Sequence, residues 1–224
     1  MSPFPDLLVT GTDTGIGKTV IAAALVLSRR AAGVDAVGFK PAESGIGEGE
    51  VADSAVLAAA SGLSEPLADP VARLAEPLAP AVAAERAGVT LDPAAIEARI
   101  AALRDAGRSL VVEGAGGLLV PLAWGYTALD LAARVGLHAV VVGRAGLGTL
   151  NHVQLTADAL ARRGVPVRAV VLNGRAPVPD LAEATNPAAL RRLLPGVRLL
   201  EVPMQDRREP FEAARAIAAL LTGL

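Results

Sequence analysis

The chain has 224 residues, 52% of them hydrophobic and 2% aromatic, with 21 Lys and Arg against 23 Asp and Glu and a formal charge of −2. A slightly acidic chain lacks the concentrated basic face that nucleic acid requires, so small molecules are the expected partners. With no cysteine there is no disulfide framework, thiolate chemistry or Cys-based zinc site, which suits a cytoplasmic protein.

The N-terminus MSPFPDLLVTG has neither a basic n-region nor a long apolar h-region. No apolar run approaches the ~20 residues needed to cross a bilayer, so no membrane association is expected. The length suits one α/β domain over residues 1–224.

The first apolar run, Leu7 to Thr10, leads into GTDTGIGKT, Gly11 to Thr19, and then a helical run from Val20 to Arg30. A strand ending in a glycine-rich loop that opens a helix presents backbone N–H groups and a positive helix end to phosphates. In such a loop Lys18 reaches the β- and γ-phosphates and Thr19 places its hydroxyl on Mg²⁺. The common G-x-x-x-x-G-K-[ST] spacing requires glycine at position 12; this chain has Thr12 there and its glycine one residue earlier, at Gly11.

A second strand, Ala36 to Phe39, runs into Lys40, Pro41, Glu43, Ser44 and Gly45. Lys40 at a strand end is either a solvated edge charge or a second cation in the phosphate crevice. From Ser44 to Gly88 the pattern is irregular, with GIGEGE and prolines at 66, 70, 77 and 80, and reads as an excursion over the active-site edge. Within it Asp53 precedes the Ala-rich stretch Ala55 to Ala60, as a helix N-cap or as part of a Mg²⁺ shell with Thr19 and Glu113.

After a helix over Pro93 to Asp105, the strand Leu110 to Glu113 enters Gly114-Ala115-Gly116-Gly117. An acid ending an apolar strand stands where phosphoryl-transfer proteins hold Mg²⁺, and the glycines let backbone N–H groups approach an anion. The bland alternative is a solvated glutamate before a glycine-rich turn. A helix over Ala128 to Arg134, a strand over Ala139 to Gly143 and a helix over Leu150 to Arg163 follow. The strand Arg168 to Asn173 ends as VVLNG, where Asn173 reads a purine edge or simply forms an Asn-Gly turn. A helix over Pro187 to Leu194, a strand over Arg198 to Val202 and a helix over Phe211 to Leu221 complete the pattern. His138 and His152, in no metal-ligand spacing, read as structural or interface groups. The alternation predicts an α/β fold of the P-loop NTPase type: a doubly wound, mostly parallel sheet with helices on both faces and ligands at its carboxyl edge.

GTDTGIGKT, FKPAESG, an aspartate nine residues past Ser44, VEGAGG, GTLNH and VVLNG occur in this order. In this the chain resembles the dethiobiotin synthetase family from about Asp6 to Pro203, including the longer glycine spacing at Gly11. The resemblance implies a homodimeric ligase that uses ATP and Mg²⁺ to close a cyclic urea from CO₂ and 7,8-diaminononanoate. It implies that Gly15, Ile16, Gly17, Lys18, Thr19 and Val20 bind the triphosphate, with Gly114, Ala115 and Gly116 also on the nucleotide. Thr19, Asp53 and Glu113 match the metal-binding residues, and Lys40 and Lys18 the catalytic cations. Thr14, Lys40, Ser44 and Gly117 match substrate contacts, while Leu150 and Asn151 match residues that hold the diamine's carboxylate tail across the dimer. Asn173 and Gly174 correspond to the adenine reader, and Pro203, Met204 and Gln205 to a loop flanking the base.

The chain departs from the family in carrying Gly15 where some relatives have glutamate, a short loop between Ser44 and Asp53, and Ser54 in place of the more usual alanine after Asp53. Two rivals share the loop. A switch ATPase of the ParA/MinD kind would carry a signature lysine where this chain has Thr12 and Asp13. Its membrane-targeting helix would be basic, whereas Pro210 to Leu224 holds only Arg215 against Glu212 and is expected to pack on the sheet. A small-molecule kinase would need the same loop but no diamine pocket.

Overall fold

A computed structural model describes residues 4–46, 51–63, 69–206 and 208–224. The acidic part of GIGEGE, at 47–50, and Pro66 lie outside the described residues. Six parallel strands form the central sheet: β1 Leu7–Gly11, β2 Ala36–Phe39, β5 Ser109–Gly117, β8 His138–Arg144, β9 Val167–Arg175 and β10 Arg198–Pro203. Their spatial order is β10-β9-β8-β1-β5-β2, which puts β1 and its loop at the centre. From β1 the chain first builds towards β2 and later crosses to β8, so the strand order reverses beside β1. In open α/β sheets the ligand crevice lies outside the carboxyl ends at such a reversal.

Period-two alternation divides the core between the two faces of this sheet. Leu7 and Val9 pack with helix α1, Lys18–Ala31, with α2, Asp53–Ser61, and with α8, Pro210–Ile217. Leu8, between them, faces the other way, towards α3 Pro80–Ala87, α4 Pro93–Asp105, α5 Ala128–Val135, α6 Thr149–Arg162 and α7 Leu181–Leu193. All three side chains are fully buried, each worth about 1.5–3 kcal/mol of transfer free energy.

The limits of β2 and α4 match the sequence reading, whereas those of other elements differ. Gly114 to Gly117 continue β5 instead of turning, and Asn173-Gly174 lies inside β9. Helix α7 starts at Leu181, six residues before Pro187, because Asp180 caps it by accepting the Glu183 N–H. The proline stands inside that helix, and Asn186 beside it is buried, donating to the Ala145 and Gly146 carbonyls.

The excursion contains β3 Ala42–Ser44 paired in parallel with β4 Ala72–Leu74, together with α2 and α3. A short hairpin, β6 Pro121–Ala123 with β7 Tyr126–Thr127, was not legible because its strands are too brief for alternation to register. Helix α8 packs on α1 and continues as a 3₁₀ turn, Ala218–Leu221. Among the described residues, no helix is long and apolar enough to cross a membrane.

Candidate active site

The carboxyl ends of β1, β2 and β5 open into a cavity of about 470 Å³. Its floor is the loop after β1. Gly15 and Gly17 stand at φ 68° and 87°, where a side chain is strained, and Gly17 is the left-handed N-cap of α1. A Cβ on Gly11 would lie 2.7 Å from Ile16 Cδ1 and 2.9 Å from the Asp13 carbonyl, so the early glycine is a steric requirement of this loop path.

Thr14, Gly15, Gly17, Lys18, Thr19 and Val20 line this cavity, as do Lys40, Ser44, Asp53, Glu113, Ala115 and Gly116. Ala42, Val51, Val56 and Pro210 also line it, although nothing in their type marked them as site residues. Small and apolar side chains acquire such a position only through the packing of the excursion on the sheet and of α8 on α1.

The charged groups converge closely. The Lys40 ammonium donates to Asp53 Oδ2 at 2.6 Å and to Glu113 Oε1 at 2.7 Å. Thr19 Oγ1 lies 2.7 Å from Asp53 Oδ1 and 2.9 Å from Glu113 Oε1, so its single hydroxyl proton is shared between the same two carboxylates. The second Glu113 oxygen, Oε2, is buried without a hydrogen-bond partner among the described residues. Lys18 folds over the loop and donates to the Asp13 carbonyl at 2.9 Å.

Burial works against the charge of Lys40, yet Glu113 and Asp53 hold its pKa well above the ordinary lysine range. Burial pushes Glu113 up against the pull of Lys40. Asp53 is pushed up by burial but drawn further down by Lys40 and the Thr19 hydroxyl. Lys18 is lowered by burial. Two cations and two anions thus balance one another beside the positive end of α1.

A register shift aims the glycines. Val9 pairs with Glu113 and Gly11 with Gly117, so three residues of β5, 114–116, stand against Thr10 alone and β5 carries two extra residues. Such bulges redirect backbone at functional edges. Gly116, at φ 59°, faces the cavity, Gly114 lies beneath it in β5, and Gly117 ends the strand against the carbonyls of Gly11 and Thr12.

Asn173 stands behind the loop and donates Nδ2 to the buried Ile16's carbonyl at 2.8 Å, leaving Oδ1 buried without a partner among the described residues. One side of its amide is therefore committed to the loop and the acceptor side remains. Gly174 follows at φ 81°, and the Met204 N–H donates to the Arg175 carbonyl, joining the segment after β10 to the end of β9. Pro203 ends β10, Met204 is exposed, and Gln205 carries a buried Nε2 without a partner among the described residues. Leu150 and Asn151 occupy the first turn of α6, away from the lining, with Asn151 exposed. His138 begins β8 and His152 lies on α6, neither of them lining the cavity.

Asp53 is not an N-cap. That position belongs to Ala52, which has no side-chain acceptor, and Asp53 is the first residue of α2. Two further contacts escaped the sequence reading. Glu43, buried, accepts from the Ser54 N–H and hydroxyl, and Arg144 Nη2 pairs with Asp13 Oδ2 at 2.7 Å. Neither has a local signature, since each pairing spans separate elements.

A protein family described as an AAA domain matches residues 6–210. A relative from Anaeromyxobacter dehalogenans (strain 2CP-C), named ATP-dependent dethiobiotin synthetase BioD, is 48% identical over 216 residues, 96% of each chain. One of the same name from Mycobacterium tuberculosis (strain ATCC 25177 / H37Ra) is 46% identical over 190 residues, covering 84% of this chain and 82% of that one. Among solved structures, the signal recognition particle 54 kDa protein of Aeropyrum pernix K1 matches with a TM-score of 0.54 at 18% identity. That match covers 99% of this chain and 47% of the other, and at such identity it establishes the fold alone.

Proposed function

This chain belongs to the ATP-dependent dethiobiotin synthetase family, and from that premise we propose how its cavity carries out the synthesis. The activity is ATP-dependent formation of dethiobiotin. One observation carries the assignment of residues: Lys18, Thr19, Lys40, Asp53 and Glu113 converge in one cavity at the carboxyl ends of β1, β2 and β5.

The backbone N–H groups from Gly15 to Thr19 and the Lys18 ammonium bind the triphosphate of ATP, with Val20, Gly114, Ala115 and Gly116 shaping its surroundings. Two carboxylates and a hydroxyl form an all-oxygen donor set, and the unpartnered Glu113 Oε2 adds a free acceptor, so Mg²⁺ fits Thr19, Asp53 and Glu113. When bound it neutralises charge on the phosphates. Asn173 offers Oδ1 to the adenine amino group, with Gly174 and Pro203 to Gln205 flanking the base.

One amine of 7,8-diaminononanoate captures CO₂ as a carbamate, losing a proton, and Lys40, Ser44, Thr14 and Gly117 hold it. A carbamate oxygen attacks the γ-phosphorus of ATP and ADP leaves. The second amine attacks the carbonyl carbon of the resulting carbamic phosphoric anhydride, expels phosphate, loses a proton and closes the five-membered ring. Lysines and backbone donors serve these steps, because positioning and charge stabilisation dominate phosphoryl transfer. Leu150 and Asn151 bind the carboxylate tail of a diamine held in the other subunit of a homodimer. The exposed Leu147 and Leu155, which bracket them in sequence, support that surface as the interface.

The test is ADP formation measured with 7,8-diaminononanoate and bicarbonate added separately and together. Turnover is expected only with both, with dethiobiotin formed in step with ADP. ATP consumption that needs neither and responds to lipid or DNA would instead mark a switch ATPase, and a phosphorylated small-molecule product a kinase.

A further inference from the structure

Asp53 heads a helix that lacks a cap of its own. Ala52, at the N-cap, has no side-chain acceptor, so the first-turn N–H groups depend on partners from elsewhere. Glu43, from β3, provides one: its Oε1 accepts the Ser54 N–H at 3.1 Å and its Oε2 accepts the Ser54 hydroxyl at 2.6 Å. Both residues are 4% exposed. Across the strand pair Glu43 lies opposite Arg73, whose Nε is 3.9 Å from Oε2 and whose Nη2 is 3.4 Å from Ser54 Oγ. No cavity-lining role accounts for this buried carboxylate.

We infer that Glu43, acting through Ser54, is a positioning residue that fixes the first turn of α2 so that Asp53 faces Thr19 and Glu113 as a metal ligand. The inference rests on the metal site proposed above. In the structure the two Asp53 oxygens are held by Lys40 and Thr19, the groups that must turn to substrate and metal during the reaction. Once they turn, the orientation of Asp53 is set by its backbone, and Glu43 anchors that backbone. A carboxylate at the N-terminus of α2 is also favoured by the helix dipole. Ser54, the departure from the usual alanine, adds a second anchor on the same carboxylate.

The test uses Mn²⁺ as the metal probe, its binding measured by paramagnetic resonance with a non-hydrolysable ATP analogue, alongside binding of that analogue in EDTA. Glu43→Ala is expected to weaken Mn²⁺ binding about 10-fold or more, as loss of a ligand's supporting partner does. Ser54→Ala removes one of the two hydrogen bonds to Glu43, together with the long contact to Arg73, and is expected to weaken it about threefold. Glu43→Gln, which keeps an oxygen for the Ser54 N–H, should restore most of the Glu43→Ala loss, and metal-free analogue binding should stay unchanged throughout. Mn²⁺ affinity within twofold of the parent in both truncations, or an equal loss of metal-free analogue binding, overturns the inference. If Glu43→Ala does not fold, Ser54→Ala decides on the same criteria. The parent protein and Asp53→Asn show separately whether the metal site exists, and the diamine-dependent assay tests the reaction, so a failure of either is told apart from a failure of Glu43.

Discussion

Lys40 shows how one residue's environment determines its work. In water its ammonium would be an ordinary surface charge; here it is 5% exposed and held by two carboxylates. Burial alone would favour the neutral amine, but Glu113 and Asp53 outweigh it and keep the group cationic. A fixed, buried cation stabilises charge that develops during phosphoryl transfer. Lys40→Gln is therefore expected to lower kcat/KM by about 10²–10³, the usual loss for one such donor. Binding of a non-hydrolysable ATP analogue should persist, because Lys18 and the loop N–H groups remain. Near-normal turnover in steady-state assays would remove Lys40 from the mechanism. Its place at a strand end was legible in FKP, but its two partners were not, because Glu113 lies 73 residues further along.

At the scale of elements, α5 shows local chemistry setting a boundary. Thr127 accepts the Asp130 N–H, while the Asp130 carboxylate accepts the Thr127 N–H at 3.0 Å, forming a reciprocal capping box. Thr127→Ala is expected to cost about 1 kcal/mol, lowering the melting temperature by about 2–4 °C for a chain of this size. The loss should depend on pH. Burial pushes the Asp130 carboxyl up, but Thr127 and Arg163 together draw it below the usual carboxylate range. A depressed folded-state value stabilises the fold above the unfolded value, and that stability is lost as pH falls through the folded one. Calorimetry at neutral pH and in strong acid should show the gap between parent and variant narrowing in acid.

Elements read from composition alone were placed within a few residues, because apolar periodicity and turn residues are encoded by near neighbours. Errors arose where a distant contact or an overlooked cap overrode the local signal. The strand read as ending at Glu113, yet pairing of Gly117 with Gly11 carries β5 through the glycines. Pro187 read as a helix start, yet the Asp180 cap and the inward-facing Asn186 carry the helix through it.

Across the whole molecule, Arg29 ties distant parts of the fold together. It is 1% exposed at the C-terminal end of α1 and donates to the Leu224 carbonyl, Ser109 Oγ and the Pro5 carbonyl. Burial lowers its pKa to about 10, leaving it charged at neutral pH. Arg29→Leu orphans several polar groups at once, and with each costing about 1–3 kcal/mol, urea unfolding should show a loss of about 3 kcal/mol or more.

The phosphate loop, the alternation of strands and helices, and the order of the motifs were determined by the sequence alone, because each depends on residues close together along the chain. Only the tertiary structure decided which groups meet. Asp53 and Glu113 reach one Thr19 hydroxyl from 34 and 94 residues away, and Asn173 supports the loop across 157. Glu43 caps a helix that begins ten residues later, with no capping residue of its own to signal the need. Strand order and register bring these side chains together, and register depends on pairing between distant segments, which no local pattern specifies.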